Sequence, residues 1–247
     1  MRDYSTWRHV TDAISRLSMS DPEHNPDLLR SLGRLVRGLS ALFWGMPVAL
    51  IVCFHTARSP SALGFGVTPP LVCTAWLFYG LWLLGGFQPQ ERVWVKALDR
   101  ARVIALINFG ISPFLFWWNR MPGQPFFFAM VLLSAFTAVL FLCSLNLVLR
   151  RLGAMLPDEG LRIEIRQFTA LNLNLLTVLL LLGVIMVVLR LVRGDELPLW
   201  FNMARQLLDR SSVLLLVPFL LLPLAMTMAL VWKTKEVIMD SVFSGRP

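Results

Sequence analysis

Six stretches of this chain, each sixteen residues or longer, contain no Asp, Glu, Lys or Arg. They are Leu39–Thr56, Pro70–Phe87, Val103–Trp118, Phe126–Leu149, Phe168–Leu189 and Val213–Trp232. A hydrocarbon core about 30 Å thick is crossed by about 20 apolar residues in an α-helix. Within it, backbone N–H and C=O groups must find partners inside the protein, which leaves helices or a closed barrel. Uninterrupted apolar runs of this length specify helices. The expected fold is therefore an all-α integral membrane protein with six transmembrane helices. The third run is short, and its helix is expected to extend backward through "QERVWVKALDRAR".

Composition agrees. Hydrophobic residues make up 56% of the chain and charged residues 15%, against about 25% charged in soluble domains. The first 25 residues are polar and hold no apolar stretch of signal-peptide type, so no cleavable signal is expected. A net charge of +8 needs no nucleic acid to explain it, because cytoplasmic loops of membrane proteins collect Lys and Arg.

The placement of those cations sets the orientation. Of the 23 Lys and Arg, 17 fall in the termini and in the loops after the second and fourth runs. The other six fall in the alternate loops. The positive-inside rule then puts both termini in the cytoplasm, and the inner (plasma) membrane is the expected location. Trp94, Trp117, Trp118, Trp200 and Trp232 stand at run ends, where amphipathic indoles favour the interface.

Between Asn25 and the first run lies "PDLLRSLGRLVRG". Asn25, Pro26 and Asp27 supply a helix cap, a first-position proline and an acid in the first turn. Leu28, Leu32, Leu35 and Leu39 then share one face, and Arg30, Arg34 and Arg37 another. This is the pattern of an N-terminal amphipathic helix lying in the membrane surface, its arginines meeting lipid phosphates or a partner protein. Arg92, Lys96 and Arg100 repeat the spacing in the next inner loop. Three segments are expected: residues 1–38 with the interfacial helix, the six-helix unit 39–232, and a cytoplasmic helical tail 233–247. A further outer-interface helix is read in residues 197–210, from the stripe Leu199, Trp200, Met203 and Leu207.

Ionisable residues at membrane depth are the usual mark of pumps, relays and ligand sites. Here the runs hold none except His55, expected at the outer boundary. His9, His24 and His55 are the only histidines, and no Cys/His or His/carboxylate spacing suits a metal or haem. No nucleophile motif, phosphate loop or dinucleotide fingerprint is present. No catalytic residue, cofactor or metal is expected. Cys53, Cys73 and Cys143 read as small buried thiols. The candidate intramembrane polar or substrate-path residues are Asn108, Ser112, Asn146, Asn172 and Asn174. Asn172 and Asn174 point about 200° apart on a helix and cannot share one face. Such amides suit interhelical hydrogen bonds or the lining of a path. Gly45 and Pro47 match Gly110 and Pro113 loosely, a spacing that could mark a kink or a repeated binding element.

The leading expectation for function is a non-enzymatic subunit or scaffold of a larger inner-membrane complex, with membrane lipids and other membrane subunits or a cytoplasmic protein as partners. The alternative is a permease-type transporter subunit. The layout is similar to that of ABC-2-type permeases, six-span proteins with both ends inside. Residues 26–38, 89–102 and 197–210 stand where those proteins have an interfacial helix, a coupling segment and short helices before span six. That resemblance is architectural and covers the whole chain without a shared motif. It implies a cytoplasmic ATPase as partner.

Overall fold

In the computed structural model, residues 26–58, 66–88, 90–121, 123–155, 159–191 and 220–239 are described. Every element among them is helical: α1 Pro26–Arg58, α2 Thr68–Leu84, α3 Arg92–Ile111, α4 Pro113–Arg120, α5 Pro125–Met155, α6 Glu159–Leu191 and α7 over 220–239. Four helical stretches are long and apolar enough to cross a membrane: Arg30–Arg58, Arg92–Arg120, Pro125–Met155 and Arg162–Ile185. The apolar α2 is shorter, at 17 residues. Of the sixth expected span, only the part from residue 220 onward is described. The expected helix at 197–210, with Trp200, and the first 25 residues lie outside the described set.

Helix ends follow local chemistry. α2 opens on Thr68-Pro69-Pro70, where proline's missing N–H costs nothing, and stops at Gly85 and Gly86. The expected span to Phe87 is therefore shortened to Leu84. α3 begins at Arg92, so the backward extension of the third span is present. It breaks at Ser112, because Pro113 cannot donate to the Phe109 carbonyl four residues back. The Ser112 hydroxyl donates to that carbonyl instead, at 2.9 Å. Pro47, by contrast, lies inside α1 without ending it. Gly45 packs against Leu77, whereas a Cβ at Gly110 would touch nothing. The two Gly/Pro pairs thus occupy unlike environments.

Neighbouring helices run antiparallel. Gly38 of α1 faces Gly80 and Leu84 of α2, while Gly45 faces Trp76 and Leu77. A Cβ on Gly38 would collide with Leu84 Cδ1 and lie 2.9 Å from the Gly80 carbonyl oxygen. Small residues at this crossing let the two backbones approach, the usual basis of helix association in lipid. Gly153 of α5 meets Ile165 of α6 in the same way, and Asn146 meets Asn172 further along. Glu164 of α6 pairs with Lys233 of α7, and Phe43 of α1 stacks on Trp232 at 5.4 Å.

This register gathers the start of α1, the α2–α3 turn, the α5–α6 junction and the end of α7 at one end of the bundle. Arg30, Arg34, Arg37, Arg92, Lys96, Arg100, Arg150, Arg151 and Lys235 belong to it. The most tightly packed apolar side chains are concentrated in the same half: Leu35, Leu39, Leu42, Leu81, Leu84, Trp94, Leu98, Leu149 and Leu152 are all 0–1% exposed. Large apolar residues such as Trp44, Ile51 and Leu181 face outward, as lipid-facing surfaces do.

One local expectation changes. Residues 26–38 do not form a separate surface helix. They continue without a break into the first span, and Leu35 and Leu39 are fully buried against protein rather than laid into acyl chains. Nothing in "RLVRGLSAL" breaks a helix, and Gly38 is recruited by α2. Trp94 is likewise buried against protein, edge-on to Phe87 with centroids 6.4 Å apart.

Candidate functional site

The intramembrane polar residues assemble into three groups along the bundle. Nearest the weakly charged end, Thr74 of α2 and Ser112 of α3 approach to 3.5 Å. The Thr74 hydroxyl also donates to the Pro70 carbonyl, at 2.7 Å. Next, Asn108 of α3 and Thr137 of α5 bind each other twice. The Thr137 hydroxyl donates to Asn108 Oδ1 at 2.7 Å, and Asn108 Nδ2 donates to the Thr137 carbonyl at 3.2 Å.

The third group lies deepest and joins α5, α6 and α7. Asn172 Nδ2 donates toward Asn146 Oδ1 at 3.0 Å, Thr227 Oγ1 at 2.9 Å and the Pro223 carbonyl at 3.2 Å. Asn146 Nδ2 reaches Thr227 Oγ1 at 2.9 Å and its own Leu142 carbonyl at 2.8 Å. The Thr227 hydroxyl closes the set on the Pro223 carbonyl, at 2.8 Å. All three side chains are fully buried. Asn172 Oδ1 and the nearby Thr169 hydroxyl have no hydrogen-bond partner. Asn174 is exposed, as its angular offset from Asn172 requires.

Of the five candidate polar residues, Asn146 and Asn172 thus come together, Asn108 and Ser112 belong to two other contacts, and Asn174 joins none of them. Thr227 and Thr137, which complete the groups, are legible as hydroxyls within the apolar runs, but the sequence does not show which asparagine each one meets. His55 is exposed in the last turn of α1. Cys53, Cys73 and Cys143 are free thiols. Among the described residues, no group of three His, Cys, Asp or Glu could hold a metal ion.

A cavity of about 390 Å³ occupies the half of the bundle away from the basic end. Asn108, Ser112, Thr74, Ser134 and Cys53 supply its few polar atoms, and aliphatic or aromatic side chains supply the rest. Phe141, Leu142 and Leu224 line its inner part, next to the Asn146–Asn172–Thr227 group on the chain. Among the described residues, no Asp, Glu, Lys, Arg or His lines it.

At the basic end, Arg30, Arg34, Arg37, Arg92, Lys96 and Arg100 are all exposed. Arg34 is not wholly committed to solvent, since its guanidinium lies beside Gly86 at the C-terminal end of α2. Arg102 lies across the same helix end. Its Nη2 donates to the Leu81 and Trp82 carbonyls, at 3.4 Å each, while Nη1 pairs with Asp99 at 3.1 Å. Cations at a helix C-terminus offset the partial negative charge of its unpaired carbonyls. Arg102 was not singled out from the sequence; the Gly85-Gly86 stop, which leaves room for a guanidinium, is the signal that marks it.

Comparison with protein families, curated proteins and solved structures returns no match for this chain. Its functional reading rests on its own residues.

Proposed function

We propose that this chain is a non-enzymatic integral subunit or scaffold of a larger inner-membrane assembly. The reading includes six spans, with both termini and the basic end of the bundle in the cytoplasm. It is carried by one observation: the buried side chains of Asn146, Asn172 and Thr227 are joined helix to helix, so they act as packing contacts and do not converge on a reacting position. Hydrogen bonds of this kind stabilise helix association modestly and leave no acid, base or nucleophile poised for turnover. The exposed basic end supports a cytoplasmic partner or anionic lipid at that face.

Purification in mild detergent tests the reading. The expected result is a stoichiometric protein partner retained through size separation, and lost when Arg92, Lys96 and Arg100 are replaced by Gln. A 28.0 kDa chain that runs alone in its detergent micelle, whatever the state of those residues, contradicts it.

The second reading, a permease-type subunit driven by a cytoplasmic ATPase, is favoured by the cavity beside Asn108 and Ser112. Its distinguishing sign is an ATPase among the retained partners, with hydrolysis that changes when the cavity is filled.

A further inference from the structure

We infer that the cavity between the helices is a binding site for one hydrocarbon chain of a neutral amphiphile. Its size falls within the range of small-molecule sites, about 300–1,000 Å³. Among the described residues, its wall carries no charged side chain. A charged ligand would meet no counter-charge there, and an unpaired ion in such surroundings is costly. A strongly polar ligand such as a sugar would find few partners, because Thr74, Ser112 and Asn108 already hold protein groups. An apolar chain gives up no hydrogen bond on entering, and each of its methylenes meets aliphatic or aromatic carbon in place of hydrocarbon solvent. One polar end can still be received. Ser134 lines the cavity, and among the described residues Asn108 uses one of its two N–H groups, on the Thr137 carbonyl. A hydroxyl or ester carbonyl on the guest matches that pair.

Small residues stand among the leucines and phenylalanines of the cavity wall. Ala49, Ala105, Ala135, Ala138 and Gly183 all line it. A Cβ added at Gly183 would touch nothing within 4 Å. A side chain at 183 therefore starts without a clash and adds bulk at the cavity wall. The inference is independent of whether the chain is a scaffold or a permease, since either can hold a bound lipid.

The test uses the full chain in nanodiscs of phosphatidylcholine and phosphatidylglycerol. Two probes carry a mid-chain photoactivated diazirine: a phosphatidylcholine, and a free long-chain alcohol. After irradiation, adducts are mapped by peptide mass spectrometry. The expected result is adducts on lining residues around Cys53 and Ser134, lost in Gly183→Leu. Adducts on outward-facing residues such as Ile51 and Leu181 should persist. Ala138→Leu gives a second closure from α5, and Val184→Leu, an outward-facing neighbour, should change nothing. Adducts from the phosphatidylcholine identify the bilayer's own chains as the source, and adducts from the alcohol alone identify a free amphiphile. The inference is overturned if neither probe labels the lining. It is also overturned if lining adducts survive both closures in proteins whose thermal unfolding is unchanged.

Discussion

Replacing Asn172 by Ala should destabilise the bundle through α7, and the size of the loss can be worked from the contacts. Asn172 Nδ2 has three acceptors in reach, on Asn146, Thr227 and Pro223, but an amide owns two N–H groups. Side-chain hydrogen bonds inside membrane proteins average about 0.6 kcal/mol and reach about 1.7 kcal/mol, so two contribute roughly 1–3 kcal/mol. The vacated site is fully buried and adds a packing loss. Removal of the unpartnered Asn172 Oδ1 returns part of it, since an unpaired buried acceptor costs about 1–3 kcal/mol. The net expectation is a loss of about 2 kcal/mol. A double-mutant cycle with Asn146→Ala isolates the shared term, expected at about 0.6–1.7 kcal/mol. Reversible unfolding in mixed detergent and lipid micelles, followed by circular dichroism, reads all four proteins. Asn174→Ala is the control, with a change within about 0.5 kcal/mol because the side chain is exposed. An Asn172→Ala protein as stable as its parent, or a cycle with zero coupling, would refute this account of the cluster.

Gly38→Leu should separate α1 from α2, because the new side chain meets Leu84 and the Gly80 backbone, and should be read as lost folded yield; Gly110→Ala meets nothing and should raise helix stability by up to about 1 kcal/mol. Arg102→Gln should cost about 1 kcal/mol in the same unfolding assay by leaving the end of α2 without its cation, and Arg102→Lys should recover only part, because a point charge cannot span the Leu81 and Trp82 carbonyls together with Asp99. Single cysteines placed at Lys96 and Ser61, in a protein lacking the native thiols, should be labelled from the inside and the outside respectively; labelling of position 96 from outside, but not position 61, would invert the orientation.

The helical class and the positions of most helices were legible because the apolar runs are long and free of charge, a signal that tertiary context does not override in lipid. The backward extension of the third span was legible too, since "QERVWVKALDRAR" has no breaker. Two features were not. The burial of Leu35 and Leu39 looks in one dimension like an amphipathic surface stripe, and the two differ only in what covers the leucines. Here α2 does, and Gly80, which makes that approach possible, is 42 positions from Gly38. The grouping of Asn146 and Asn172 depended on the pairing of α5, α6 and α7. Angular spacing separated Asn172 from Asn174 correctly, but could not bring in Thr227. The cavity was invisible for the same reason, because it is a missing volume among residues from most of the helices.

The central claim, that this chain binds and holds rather than turns over, is tested most directly by reconstituting the purified protein alone in liposomes and measuring solute flux and lipid turnover together. The account predicts neither above the level of protein-free vesicles. It also predicts that Ala at Asn108, Asn146 or Asn172 lowers the yield of folded protein without altering any rate. Robust flux or turnover that one of those substitutions abolishes, while the protein stays folded, would contradict it and show that the buried amides are a working site.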